Sequence, residues 1–189
     1  MSGYLELIVG PMFSGKTSRL VEEYRKCLFC NIPVAVINHS ADTRYSETQL
    51  STHDRVKIPC RMTPLLRGVW AEENAVRSAE VILINEGQFF DDLAEVVVEM
   101  VNAGKQVYVC GLDGDFQRKR FGQMLELVPF CDKITKLTSL CSLCKNGTKG
   151  IFSLRLTSET EQMVVGAENY MPVCRGCYDR VSILLPDIC

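Results

Sequence analysis

The sequence predicts an α/β domain built on a mainly parallel sheet, followed by a small metal-stapled domain. Three observations carry this. Apolar runs of strand length alternate with helix-like stretches along most of the chain, the pattern of a sheet covered by helices. A glycine-rich loop, Gly10-Pro11-Met12-Phe13-Ser14-Gly15-Lys16-Thr17, joins the first such run to the first helix-like stretch. Two C-x-x-C pairs, Cys141/Cys144 and Cys174/Cys177, lie towards the C-terminal end.

Taken in order, Tyr4 to Val9 reads as a strand and Ser18 to Leu28 as a helix. The loop between them therefore fits G-x-x-x-x-G-K-[ST] in the context that pattern requires. Its glycines let backbone N–H groups turn inward around phosphate oxygens. Lys16 supplies a point charge for the β and γ phosphates, and the Thr17 hydroxyl can ligate Mg2+. The N-terminal end of the following helix adds positive potential. A chance glycine-rich turn is the competing reading.

Val34 to Asn38, Val81 to Asn85 and Gln106 to Gly111 are the next strands. The polar stretch from Ser40 to Lys57 has no clear periodicity and reads as a long functional loop. Leu93, Val96, Val97, Met100 and Val101 recur at helical spacing after Asp91-Asp92, and Gly104 ends that helix. In a parallel α/β sheet ligands gather beyond the carboxyl ends of the strands. The Gly10 loop, the segment after Asn38, the Asn85-Glu86 end and Gly111 to Lys119 then belong to one crevice. From Ser139 the pattern changes to short strand-like pieces, which divides the chain into residues 1–138 and 139–189.

The 189 residues suit one ordinary domain with an appendage. A net charge of −2 with both signs interspersed gives no field for a nucleic-acid backbone or an anionic membrane. With no long apolar run and no leader pattern, the expectation is a soluble cytoplasmic protein with no membrane partner. Ten cysteines in a reducing, ATP-containing compartment read as thiols or metal thiolates. Two C-x-x-C turns separated by 29 residues can each offer two thiolates at about 2.3 Å from one tetrahedral Zn2+. A redox dithiol is the rival reading. Cys27-Leu-Phe-Cys30 repeats the spacing without a second pair nearby and reads as small helix-end thiols, while Cys60, Cys110, Cys131 and Cys189 are single.

At the end of the third strand stands Ile84-Asn85-Glu86-Gly87-Gln88-Phe89-Phe90, where phosphate-loop enzymes carry an acidic residue serving Mg2+. The first position here is an amide. Glu86 is the carboxylate that remains, suited to take the proton of an attacking hydroxyl or, more blandly, to cap the next helix. Phe89 and Phe90 suit either a core or the face of a flat base.

These strings, with Asp42-Thr43-Arg44-Tyr45, Thr52-His53-Asp54-Arg55, Leu112 to Lys119, Lys136-Leu137-Thr138 and both cysteine pairs, resemble the type II thymidine kinase family, in family order from about residue 4 to 178. The resemblance implies a RecA-like phosphate-loop domain over residues 1–138. It implies a zinc-stapled lasso domain over 139–189 that closes on the nucleoside. The implied reaction is ATP-dependent phosphorylation of the thymidine 5′-hydroxyl, with ATP, Mg2+ and Zn2+ as cofactors.

By residue, Glu86 matches the general base. Lys16 and Arg55 would neutralise the transferred phosphoryl, with Arg118 and Arg155 as other candidates. Phe89, Leu112 and Phe116 match residues around the thymine, and Ser153 lies near its 5-methyl group. Tyr170 is near the sugar, and Val164, Val165 and Gly166 read the base edge. Cys141, Cys144, Cys174 and Cys177 hold zinc. The resemblance also implies dTTP as feedback inhibitor and a homotetramer. Asn85 replaces the usual Asp, so Thr17, Asn85 and a compensating Asp54 form the expected magnesium set, and Asp115 replaces a more usual Thr.

Two other readings remain at this stage. One is a family member that binds nucleotide with weak or absent catalysis. The other is a zinc-ribbon ATPase module that contacts nucleic acid, against which the near-balanced charges between Cys141 and Cys177 speak.

Overall fold

A computed structural model of the protein describes residues 2–42, 49–52, 55–164 and 166–184. In chain order its elements are β1 (Tyr4–Val9), α1 (Lys16–Phe29), β2 (Val34–His39), β3 (Gln49–Ser51), β4 (Lys57–Pro59), β5 (Arg61–Thr63), α2 (Leu66–Glu72), α3 (Asn74–Ser78), β6 (Val81–Asn85), α4 (Leu93–Asn102), β7 (Gln106–Gly111), β8 (Lys133–Lys136), β9 (Ser139–Leu140), β10 (Lys149–Gly150), β11 (Phe152–Arg155), β12 (Tyr170–Val173) and α5 (Arg175–Leu184).

The central sheet has six strands in the order β5-β2-β6-β7-β1-β8, and every pairing in it is parallel. The four predicted strands are its middle. The short β5 and β8 extend it to either side; three- and four-residue segments are too brief for periodicity to reveal. At the end of the stretch read as a loop from Ser40 to Lys57 and just beyond it, β3 and β4 form an antiparallel hairpin that buries Leu50 and Ile58 against the α1 side of the sheet.

Alternation along the strands feeds two cores. Leu5, Leu7 and Val9 point to the face covered by α2 and α4, with Ile82, Ile84, Val107 and Val109. Ile8, Val36, Leu83 and Cys110 point to the other face, where Leu20, Val21 and Cys27 of α1 cover them. Asp91-Asp92 does precede a helix, but Asp92 makes no side-chain cap on α4. Its carboxylate accepts the Leu66 and Arg67 N–H groups at 3.1 and 2.8 Å, capping α2 from a distance.

A third, smaller core gathers Cys141, Leu154, Val173, Cys177 and Tyr178. It lies between the antiparallel pairs β9/β10 and β11/β12 and helix α5. The Tyr178 hydroxyl donates to the Phe116 carbonyl at 2.6 Å and ties this part to the main sheet.

Candidate active site

The loop from Gly10 leaves β1 at its carboxyl end and enters α1 through Gly15, which caps the helix in the left-handed region at φ 85°. Gly10 has φ 151°, and a Cβ there would lie 2.5 Å from the Leu137 carbonyl oxygen, so only glycine fits. Lys16 folds its ammonium back onto the Pro11 carbonyl at 2.8 Å. The Ser14 hydroxyl oxygen is buried without a hydrogen-bond partner, a donor held ready inside the loop. This donor set, with the Thr17 hydroxyl, fits triphosphate oxygens and a hard cation.

Across from the loop, Glu86 follows β6 with φ 54°, a left-handed conformation uncommon for a residue with a side chain. It opens a short 3-10 turn without capping it through its side chain. Gln88 holds it in place. The Gln88 amide donates to Glu86 Oε2 at 2.6 Å, and its Oε1 accepts the Leu112 N–H at 3.0 Å, fixing the ends of β6 and β7 together. Phe89 packs edge-on against Phe121 and beside His39, and His39 meets Phe90 at 4.8 Å between ring centres. Burial holds the His39 imidazole below its ordinary range, with a hydrogen bond to the Pro64 backbone opposing.

The far wall belongs to the segment between β11 and β12. Arg155 is buried, with its guanidinium 3.6 Å from the Phe116 ring centre. It donates to the Glu159, Glu161 and Gln162 carbonyls at 2.9, 2.6 and 3.1 Å and to the Tyr170 hydroxyl at 2.5 Å. A guanidinium only donates, so the Tyr170 proton turns to the Val164 carbonyl, at 3.1 Å. Gln162 in turn donates to Asp115 Oδ2 at 2.6 Å, while Asp115 Oδ1 accepts the Gln117 and Lys119 N–H groups. The result is a cleft of about 920 Å3, counting its open mouth, that places Lys16, Thr17, Asp42, Glu86, Phe89, Leu112, Val164 and Tyr170 around one space.

Beyond the cleft, the sulfurs of Cys141, Cys144, Cys174 and Cys177 all lie within 4.8 Å of one another. Cys144 Sγ is 3.7 Å from Cys174 Sγ and 3.4 Å from Cys177 Sγ. Four thiolates around one Zn2+ would sit about 3.8 Å apart, whereas a disulfide needs about 2.05 Å. Burial raises the Cys141 thiol, but backbone N–H groups of Cys144, Cys174 and Leu143 outweigh it and hold it at about 6. Hydrogen bonds to Cys177, Cys141 and Cys174 push Cys144 up to about 12. The set fits a closed tetrahedral metal site and not a redox pair.

A thymidine kinase family model matches residues 3–178. The chain belongs to the thymidine kinase family. It is 43% identical to the cytosolic thymidine kinase of Cricetulus griseus over 97% of this chain and 76% of that one. It is 43% identical to the cytosolic thymidine kinase of Homo sapiens over 93% of this chain and 73% of that one. With the thymidine kinase of Rabbit fibroma virus the identity is 39%, over 93% and 96% of the two chains.

Within this thymidine kinase fold the sequence-predicted residues divide. Met12 to Thr17, Glu86, Phe89, Leu112, Val164, Gly166 and Tyr170 line the cleft, while Gly10 and Pro11 form the base of the phosphate loop behind it. Phe116 is buried under Arg155 instead of lining the cleft. Ser153 is buried as well, its hydroxyl accepting the Met12 N–H at 2.9 Å and so bracing the phosphate loop. Arg55 is exposed at φ 61° and does not reach the cleft wall. Arg118 pairs with Asp179 at 2.9 Å over the Tyr178 ring, and Arg155 is committed to carbonyls, so neither faces the phosphate loop. Asp54 and Val165 lie outside the described residues. Asn85 is 1% exposed behind Thr17, whose hydroxyl donates to its Oδ1 across a long 3.4 Å.

The cleft also has walls that the predicted set did not contain: Ser18, Asp42, Ser51, Gln88, Phe121, Gln162 and Met163. Asp42 and Gln88 lie within the strings that resemble the family, which gave them no role. Gly122 carries the only local signal for Phe121, because φ 54° and the 2.1 Å from a Cβ there to the Gln88 carbonyl force the chain close to the Glu86 turn.

Proposed function

We propose that this chain transfers the γ-phosphoryl group of ATP to the 5′-hydroxyl of thymidine. The observation that carries the reading is the position of Glu86, in one cleft between a phosphate loop and an aromatic, backbone-lined pocket. The names of the relatives support the substrate.

In this reading the nucleoside base lies against Phe89 and Leu112, with the Val164 segment at its edge and Tyr170 near the sugar. The phosphate loop cradles the triphosphate, and Lys16 leaves Pro11 to neutralise it. The thymidine 5′-oxygen attacks the γ-phosphorus in line while Glu86 accepts its proton. The bond from that phosphorus to the β,γ-bridging oxygen breaks, and ADP departs. Holding both reactants in one cleft supplies much of the acceleration. Mg2+, when bound, neutralises phosphate charge; Thr17 would hold it, with Asn85 behind the hydroxyl and Asp42 on the cleft wall. The four cysteines would hold Zn2+ as a staple for a lasso domain spanning residues 139–189.

A homotetramer and inhibition by dTTP bound across the same cleft belong to this reading through the family resemblance. Exposed apolar side chains near the β8 edge, Phe130 and Ile134 among them, suit a subunit contact.

The test is ATP-dependent formation of thymidine 5′-monophosphate. Glu86→Gln, which keeps shape but cannot accept the proton, is expected to lower turnover by roughly 10^2 to 10^4-fold with ATP still bound. Nucleotide binding without turnover in the natural chain would instead favour a non-catalytic member.

A further inference from the structure

The residue behind Thr17 is an amide, and an amide has two unlike ends. Which end faces Thr17 is decided two hydrogen bonds away. Asn38 and Asn85 are register partners on β2 and β6, 2% and 1% exposed. Asn38 donates from Nδ2 to Asp42 Oδ2 at 3.0 Å. Asn85 donates from Nδ2 to Asn38 Oδ1 at 2.9 Å. Asn85 Oδ1 then accepts from the Cys110 thiol at 2.9 Å and from the Thr17 hydroxyl at 3.4 Å.

Chemistry permits only this direction. A carboxylate is acceptor-only, so Asn38 must turn its NH2 to Asp42 and its oxygen to Asn85. Asn85 must then turn its NH2 to Asn38, which leaves Oδ1 for Thr17. With its proton directed at Asn85, the Thr17 hydroxyl keeps its lone pairs for a cation in the cleft.

We propose that Asn38 is a positioning residue that transmits the polarity of Asp42 to Asn85, and so makes a neutral amide the support of the metal-binding hydroxyl in this chain. The proposal rests on the phosphate-loop reading above. Its consequence runs against simple charge reasoning: Asn85→Asp does not restore a better magnesium site. An aspartate at 85 sets a carboxylate against Asn38 Oδ1. If Asn38 turns to satisfy it, the same oxygen then faces Asp42. Either way one buried pair is repulsive. Moving the carboxylate instead, with Asp42→Asn and Asn85→Asp together, allows Asn38 to flip and to pair with both of its neighbours again.

The experiment has two readouts besides activity. Melting temperatures without nucleotide are compared for the natural chain, Asn85→Asp, and the Asp42→Asn/Asn85→Asp swap, each also in an Asn38→Leu background. Mn2+ binding to the ATP complex is followed by the electron paramagnetic resonance of free Mn2+. We expect Asn85→Asp to lower the melting temperature by about 2–4 °C or more and not to tighten Mn2+. The swap should recover at least half of that loss, and Asn38→Leu should abolish the recovery. Asn38→Leu itself should weaken Mn2+ binding by about tenfold, the lower end of the effect of residues that orient metal ligands.

Tighter Mn2+ in Asn85→Asp with an unchanged melting temperature would overturn the proposal, as would unchanged Mn2+ affinity in folded Asn38→Leu. If Asn38→Leu does not fold, recovery by the swap decides. Recovery by the swap in a chain without thymidine turnover would remove the kinase reading and leave the relay standing. Failure of the natural chain to bind Mn2+ with ATP would remove both.

Discussion

Single side chains set the shape of the cleft more than its charge does. Arg155 illustrates this, because an arginine near a phosphate loop invites a phosphate role, yet here three carbonyls and Tyr170 take the donors of both terminal nitrogens. Arg155→Met should therefore raise the KM for thymidine far more than that for ATP, with a stability loss on the order of 3 kcal/mol from the carbonyls left unpaired. Steady-state kinetics against each substrate and a urea titration check both halves. His39 is a second case. Burial lowers its folded pKa beneath the unfolded value of 6.5. Its neutral form is thus favoured by folding, so its contribution is complete above 6.5 and is lost as pH falls from there through the folded value. Melting curves across pH 7 to pH 5 should lose less in His39→Gln than in the natural chain.

At the scale of elements, distant carboxylates join pieces that local sequence leaves open. Asp92 caps α2 from the start of α4, and Asp92→Ala should cost about 1 kcal/mol, the usual worth of a helix cap, read from the urea midpoint. Glu6, buried in β1, accepts from Thr135 at 2.6 Å and from Lys133 at 3.1 Å, holding the edge strand β8. Burial acts to raise its pKa, but hydrogen bonds from Thr135, Lys133 and Tyr4 outweigh it and the carboxyl titrates below its ordinary value. Its stabilisation is present above about pH 4.5 and is lost as pH falls through the folded pKa. Replacement by Gln should flatten the acid limb of the stability curve. The Phe89 and Glu86 turn was legible because it follows a clear strand; the hairpin β3/β4 was not, since each strand has three residues and is defined only by its partner.

For the whole molecule, the cysteine cluster and the main sheet are joined through Tyr178, Phe116, Gln162 and Asp115. Removing the metal should then affect the cleft, 29 residues of chain being held between the two pairs. Metal analysis should find one Zn2+ per chain, and Cys174→Ser or a strong chelator should release it. Thymidine affinity should fall with the metal while ATP affinity changes little, which equilibrium binding of each ligand would measure. Among the described residues no helix is long and apolar enough to cross a membrane.

The sequence by itself determined the four central strands, helices α1 and α4, the phosphate loop and the paired cysteines. Each is written in the spacing of near neighbours, where period and residue type suffice. Most of the cleft lining inherited its place from those elements. Only the tertiary structure decided that Ser153 braces the phosphate loop, that Phe116 lies under Arg155, and that Asn85 takes its orientation from Asn38 and Asp42. Those choices depend on which groups meet across separations of 39, 47 and 141 residues. A buried polar group is satisfied by whatever the fold brings to it, and no local pattern records that partner.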